Sequence, residues 1–139
     1  MTKPDRLEQV EILLVEDDPD DAATTTSALR ERNLADQLHW VKDGEEALEY
    51  LFASGRYAGR DRNHPPKLVL LDIKMPKVDG FEVLRRIKTS ELKAIPVVVM
   101  TSSSEESDVL ESYRLGIDSY LVKPVQFKAV LETVSKIGL

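Results

Sequence analysis

The chain reads as α/β, a (βα)5 doubly wound five-stranded parallel sheet in one domain, and three observations predict it. Five short apolar runs alternate with segments of helical character along the 139 residues. Three of the runs, EILLV, KLVLL and PVVVM, are almost continuously hydrophobic, which suits strands covered on both faces. Cap residues stand where the intervening helices should begin. Strand–helix alternation makes the crossovers right-handed and places helices on both sides of the sheet.

Taken in order, the first strand is expected over Val10–Val15. Asp18-Pro19 then places a cap residue before a proline at the first helical position. The second strand covers Gln37–Val41, with Trp40 as strand packing. Asp43-Gly44-Glu45-Glu46 opens the second helix with the cap-x-x-Glu spacing of a capping box. Ser54–Pro66 (SGRYAGRDRNHPP) is the one long connection, a polar loop rich in Gly, Pro and Arg. The third strand is expected over Lys67–Leu71, and Asp79-Gly80-Phe81-Glu82 caps the third helix. Pro96–Met100 is the fourth strand, followed by a fourth helix capped in the same way by Ser103-Ser104-Glu105-Glu106. Ser119–Val122 is the fifth strand. A last helix runs from about Gln126 to Ile137 with Phe127, Val130, Leu131, Val134 and Ile137 on one stripe.

Composition narrows the function classes. A charged fraction of 32% and an apolar fraction of 42% are those of an ordinary folded domain, here residues 1–139 with a core of about 11–137. No apolar stretch approaches the roughly 18 residues of a membrane span, and the opening MTKPDRLEQVE has no signal-peptide core. The absence of cysteine excludes disulfides, a thiol nucleophile and a thiolate metal site, and fits a cytoplasmic protein. A net charge of −6 argues against nucleic acid as a partner. His39 and His64 have no partner at catalytic or metal spacing, and are expected to be structural or exposed.

The strand ends carry the chemistry. In an open parallel sheet the carboxyl ends of the strands share one edge, where ligands bind. The first strand ends in Glu16-Asp17-Asp18, the third in Asp72, the fourth in Thr101-Ser102 and the fifth in Lys123-Pro124. Asp18 is the helix cap, and Asp79 is likewise structural. Clustered carboxylates repel unless a cation compensates, and Mg2+ takes such oxygen ligands. Asp17 and Asp72 are the expected ligands, with the Lys74 backbone carbonyl available from the loop and Glu16 orienting metal waters. An aspartate so placed can act as a nucleophile toward phosphorus. The charge on the transferring phosphoryl would be shared among Mg2+, Lys123 and the Thr101 hydroxyl.

These residues resemble those of a known family. ILLVEDDP is similar to the first-strand acidic motif of response-regulator receiver domains. LLDIKMPKVDG resembles their phosphoacceptor motif, VVVMTS their switch-hydroxyl motif, and SYLVKP their lysine-proline motif. Four motifs in order, spanning about Glu11 to Ile137, make the likeness specific. Glu16 stands where aspartate is also common. The resemblance implies the CheY-like, flavodoxin-like strand order 2-1-3-4-5 and phosphorylation of Asp72 by a partner histidine kinase, with Mg2+ held by Asp17 and Asp72. It also implies a cis Lys123–Pro124 bond and a switch in which Thr101 moves toward the phosphoryl while Tyr120 turns inward. That shift would bias the face made by the fourth helix, fifth strand and fifth helix, where two copies of the chain could also pair. Lys74 and Ser103, two residues beyond Asp72 and Thr101, are placed to tune phosphate lifetime. The long loop and NHPPKLVLLDIKMPKVDG resemble single-domain regulators paired with phytochrome-type kinases. On this reading the chain is a signalling phosphoacceptor and not an enzyme in the ordinary sense, though it promotes its own phosphorylation and dephosphorylation.

Other functions fit less well. An aspartate-nucleophile phosphatase of the haloacid dehalogenase type needs a second aspartate two residues after the first, where this chain has Lys74. Nucleotide hydrolysis lacks both GxxxxGK[ST] and GxGxxG. The remaining alternative is a receiver-like interaction module that works without phosphorylation, which would keep its partner binding and its response in Asp72→Asn.

Overall fold

The computed structural model describes residues 11–31, 33–73, 75, 78–102, 105–123 and 127–136. Five strands and five helices alternate: β1 Ile12–Val15, α1 Pro19–Arg30, β2 Leu38–Val41, α2 Gly44–Leu51, β3 Leu68–Leu71, α3 Gly80–Lys88, β4 Val97–Thr101, α4 Glu106–Arg114, β5 Ser119–Val122 and α5 Phe127–Lys136. The strands form one sheet in the order β2-β1-β3-β4-β5, and every pairing is parallel. The predicted strands therefore hold, with β1 beginning two residues later than expected and the other ends within one residue. Val10 and the side chains of the expected α5 stripe lie outside the described residues.

The apolar runs are covered on both faces. Leu13, Val15, Val69, Leu71, Val97 and Val99 pack with Ala47, Leu51, Val83, Leu84 and Ile87 on the side of α2 and α3. Ile12, Leu14, Leu68, Leu70, Val98 and Met100 pack with Ala22, Ala28 and Leu29 on the side of α1. Each fully buried aliphatic side chain contributes about 1.5–3 kcal/mol, so the central strands anchor the molecule.

Helix starts follow the sequence at three places. Asp18 accepts from the Asp20 amide at 2.9 Å, Asp43 from Glu46 at 2.8 Å and Asp79 from Glu82 at 3.0 Å. The fourth start differs. α4 begins at Glu106 with Glu105 as its cap residue, and Glu105 makes no side-chain capping bond. The run of serines and glutamates offers several starts, and the capping-box spacing selected one too early. Ser103 itself lies outside the described residues.

Arg60 is the buried charged side chain of the long connection, with Tyr57, Arg56 and Arg62 pairing at its surface. Arg60, 8% exposed, donates to the carbonyls of Tyr50, Leu51, Asp61 and His64, and its guanidinium lies 4.5 Å from the Tyr50 ring centroid. The loop is thereby tied to the C-terminal end of α2, at the sheet edge opposite the carboxyl ends of the strands. His39 is structural, as expected: it stacks on Tyr50 and lies 2.9 Å from the Tyr57 hydroxyl. His64 is exposed and pairs with Asp61.

Candidate functional site

Register brings the strand ends together. Val15 pairs with both Val41 and Leu71, Leu71 pairs with Val99, and Thr101 pairs with Val122. Glu16, Asp72, Thr101 and Lys123 therefore end, or immediately follow, neighbouring strands at one edge. Backbone bonds fix their order: Glu16 donates to Val41 at 3.1 Å, Asp72 to Val15 at 3.0 Å and Lys123 to Thr101 at 2.7 Å.

Gly80 lets the chain close behind Asp72. A Cβ on Gly80 would stand 2.3 Å from the Ile73 Cα and 2.5 Å from the Asp72 carbonyl oxygen, closer than any side chain tolerates. The Gly80 amide donates to the Ile73 carbonyl at 3.1 Å, fastening the N-terminus of α3 to the turn that carries Asp72. The glycine of the LLDIKMPKVDG segment thus has a packing reason at its position.

The centre of the site is an ammonium ringed by carboxylates. Lys123 Nζ lies 2.6 Å from Glu16 Oε1, 2.9 Å from Asp21 Oδ2 and 3.1 Å from Asp72 Oδ2. Glu16 and Asp72 are buried, at 1% and 5% exposure, whereas Asp17 is exposed. Burial pushes the Glu16 carboxyl up to about 7, against the pull of Lys123 and of the Asp18 amide. Burial also opposes the charge on Lys123, but the hydrogen bonds it donates to Glu16 and Asp21 and the charges of Asp72 and Glu16 outweigh it. The ammonium is held above its ordinary pKa and stays protonated. Glu16 is braced further: its Oε2 accepts from the Asp18 amide at 3.2 Å and its carbonyl from the Trp40 indole at 2.7 Å.

Carboxylate oxygens of Glu16, Asp17 and Asp72 lie within 4.8 Å of one another. An all-oxygen donor set of this kind suits a hard divalent cation. Glu16 and Asp72 also face Lys123, whereas Asp17 is exposed at the rim of the cluster.

Thr101 is fully buried at the end of β4. Because Tyr120 pairs with Val99, Thr101 and Tyr120 are on the same face of the sheet. Tyr120 is half-buried and packs against the core cluster on the side of α2 and α3. Lys74, Ser103 and Pro124, named above for a metal ligand, lifetime tuning and a cis bond, lie outside the described residues.

Two contributors were missed in the sequence. Asp21, from the first turn of α1, supplies the third partner of Lys123; nothing local marks it, since the two residues are 102 apart in the chain. Trp40 was expected only to pack, yet β2 reaches the site through its bond to the Glu16 carbonyl. No helix among the described residues is long and apolar enough to cross a membrane.

Comparison with known proteins is consistent across sequence and structure. A family model of the response regulator receiver domain matches residues 12–135. The chain is 42% identical over 127 residues to the probable methanogenesis regulatory protein FilR2 of Methanothrix harundinacea, covering 91% of this chain and 79% of that protein. It is 40% identical to response regulator Rcp1 of Synechocystis, covering 91% and 84%. Among solved structures, the bacteriophytochrome response regulator RtBRR superposes with a TM-score of 0.81 at 46% identity, covering 92% of this chain and 77% of that one. The Mn2+-bound form of Rcp1 gives 0.77 at 40%, covering 91% and 89%. The phosphorylated cyanobacterial phytochrome response regulator RcpA gives 0.77 at 39%, with the same coverage.

Proposed function

The chain belongs to the response regulator receiver domain family of two-component signalling, and from that premise we propose that residues 1–139 hold one receiver domain of a cytoplasmic regulator, with Asp72 as its phosphoryl acceptor. The observation that carries the proposal is the Lys123 ammonium lodged among Glu16, Asp21 and Asp72 at the carboxyl edge of the sheet. A buried lysine aimed at the acceptor carboxylate can meet the charge that a phosphoryl brings to it.

The donor is a partner histidine kinase. An Asp72 carboxylate oxygen bonds to phosphorus as the bond from phosphorus to the kinase histidine nitrogen breaks; the nitrogen keeps the electron pair and is free to take up a proton. Asp17 and Asp72 would hold Mg2+, with Glu16 orienting its waters and the Lys74 carbonyl as a further donor. Bound there, the ion supplies neutralising charge that lets an anionic phosphoryl approach a carboxylate. The all-oxygen cluster supports this, as does the Mn2+-bound form of the related Rcp1. Lys123 turns to one phosphoryl oxygen, and the Thr101 hydroxyl to another. Tyr120, on the same face of the sheet as Thr101, follows the hydroxyl inward. Leu110, Tyr113 and Val122 are the exposed large apolar residues of α4 and β5, and they suit this face to a downstream partner or a second copy of the chain. The similarity to RtBRR and RcpA supports a phytochrome-type kinase as the donor.

Intact-protein mass spectrometry after incubation with acetyl phosphate tests the reading. Wild type with Mg2+ is expected to gain one phosphoryl group, and wild type without Mg2+ or Asp72→Asn to gain none. Equal adducts on wild type and Asp72→Asn would defeat it. Silence toward beryllofluoride as well would leave an interaction module that works without phosphorylation.

A further inference from the structure

The three partners of Lys123 differ in how easily each can be released. An ammonium has three N–H donors, and here three carboxylate oxygens at 2.6, 2.9 and 3.1 Å are placed to take them. Gripping an incoming phosphoryl oxygen therefore requires that one contact be given up. Glu16 is 1% exposed, and losing the lysine would leave a buried carboxylate short of its cation. Asp72 is the acceptor itself. The Asp21 side chain is 42% exposed, so water can replace the ammonium at its oxygen at small cost.

We infer that Asp21 is a positioning residue: from the first turn of α1 it competes with the incoming phosphoryl for Lys123, and so sets how fast Asp72 is phosphorylated. The inference rests on the reading of Asp72 as acceptor. Two effects act in the same direction. The Asp21 carboxylate holds the lysine back, and its negative charge beside Lys123 repels an anionic donor. Releasing the lysine also undoes the one described ion pair that joins α1 to the end of β5, so phosphorylation would loosen the α1 end of the site.

The test compares wild type, Asp21→Asn and Asp21→Glu for the rate of adduct formation from acetyl phosphate at saturating Mg2+ and low salt, with a thermal unfolding curve for each. Asp21→Asn is expected to react roughly two- to fivefold faster, the size of effect an exposed ion pair carries. It should also bind beryllofluoride more tightly by a similar factor. Asp21→Glu keeps a carboxylate within reach of Lys123 and is expected to bring the rate back to that of wild type. A folded Asp21→Asn that reacts no faster than wild type overturns the inference. So does acceleration in Asp21→Glu, which would make side-chain shape rather than the grip on Lys123 responsible. Loss of the fold in Asp21→Asn overturns it too, because Asp21 would then serve stability. If wild type itself takes no phosphoryl group, it is the reading of Asp72 that fails.

Discussion

Lys123 holds in place carboxylates that would otherwise repel one another. Its side chain is 15% exposed, and it is the cation that faces both buried carboxylates. Replacing it by methionine leaves Glu16, Asp21 and Asp72 without that charge. Lys123→Met is expected to lose about 3 kcal/mol in urea unfolding, the scale for breaking a buried pair from one side. Its rate of adduct formation should fall roughly a hundredfold, as when a charge-stabilising donor is removed. Unchanged stability and rate would show that Lys123 is a bystander. The individual contributors were legible in unequal degree. Glu16, Asp17, Asp72, Thr101 and Lys123 could be read because each lies at or just beyond the end of an apolar run, and chain position alone sends such residues to one edge. Asp21 could not, because its contact exists only once the first turn of α1 meets the end of β5.

At the scale of elements, helix starts and close approaches decide how accurately the site is held. Asp18, Asp43 and Asp79 were readable because cap chemistry is local. The start of α4 was not, since a run of serines and glutamates satisfies the same pattern at several offsets. Gly80 ties α3 to the turn behind Asp72, and a methyl group there must displace backbone. Gly80→Ala should cost about 2 kcal/mol, typical of overpacking, and should slow phosphorylation even where the protein remains folded. Stability within error of wild type would contradict that account. β2 offers a probe of the site. Trp40 is the only tryptophan in the sequence, and its indole bonds to the Glu16 carbonyl, one residue before Asp17. Titrating Mg2+ should therefore shift Trp40 emission in wild type and leave it unchanged in Asp17→Asn. An equal response in both would place the ion elsewhere.

Across the whole molecule, the Arg60 clamp contributes stability at the end of α2, while the chemistry is sited at the carboxyl ends of the strands. The fold was legible because alternating runs, caps and continuous strand hydrophobicity all indicate one architecture. The Arg60 clamp was not, because a polar, Arg-rich loop gives no local sign of which arginine turns inward. Arg60 satisfies the carbonyls of Tyr50 and Leu51 at the C-terminal end of α2. Arg60→Met should lower stability by at least about 2 kcal/mol while leaving the phosphorylation rate of the folded protein unchanged. A large fall in rate at full folding would show that the clamp and the site are coupled. The central claim is that the buried β3 strand delivers Asp72 as the acceptor, and the position of the covalent bond tests it most directly. Borohydride reduction of the acetyl phosphate adduct, followed by peptide mapping, converts an aspartyl phosphate into homoserine. The account predicts homoserine at position 72 and nowhere else. A phosphoryl group recovered on Thr101, Ser102 or any other residue, with position 72 unmodified, would contradict it.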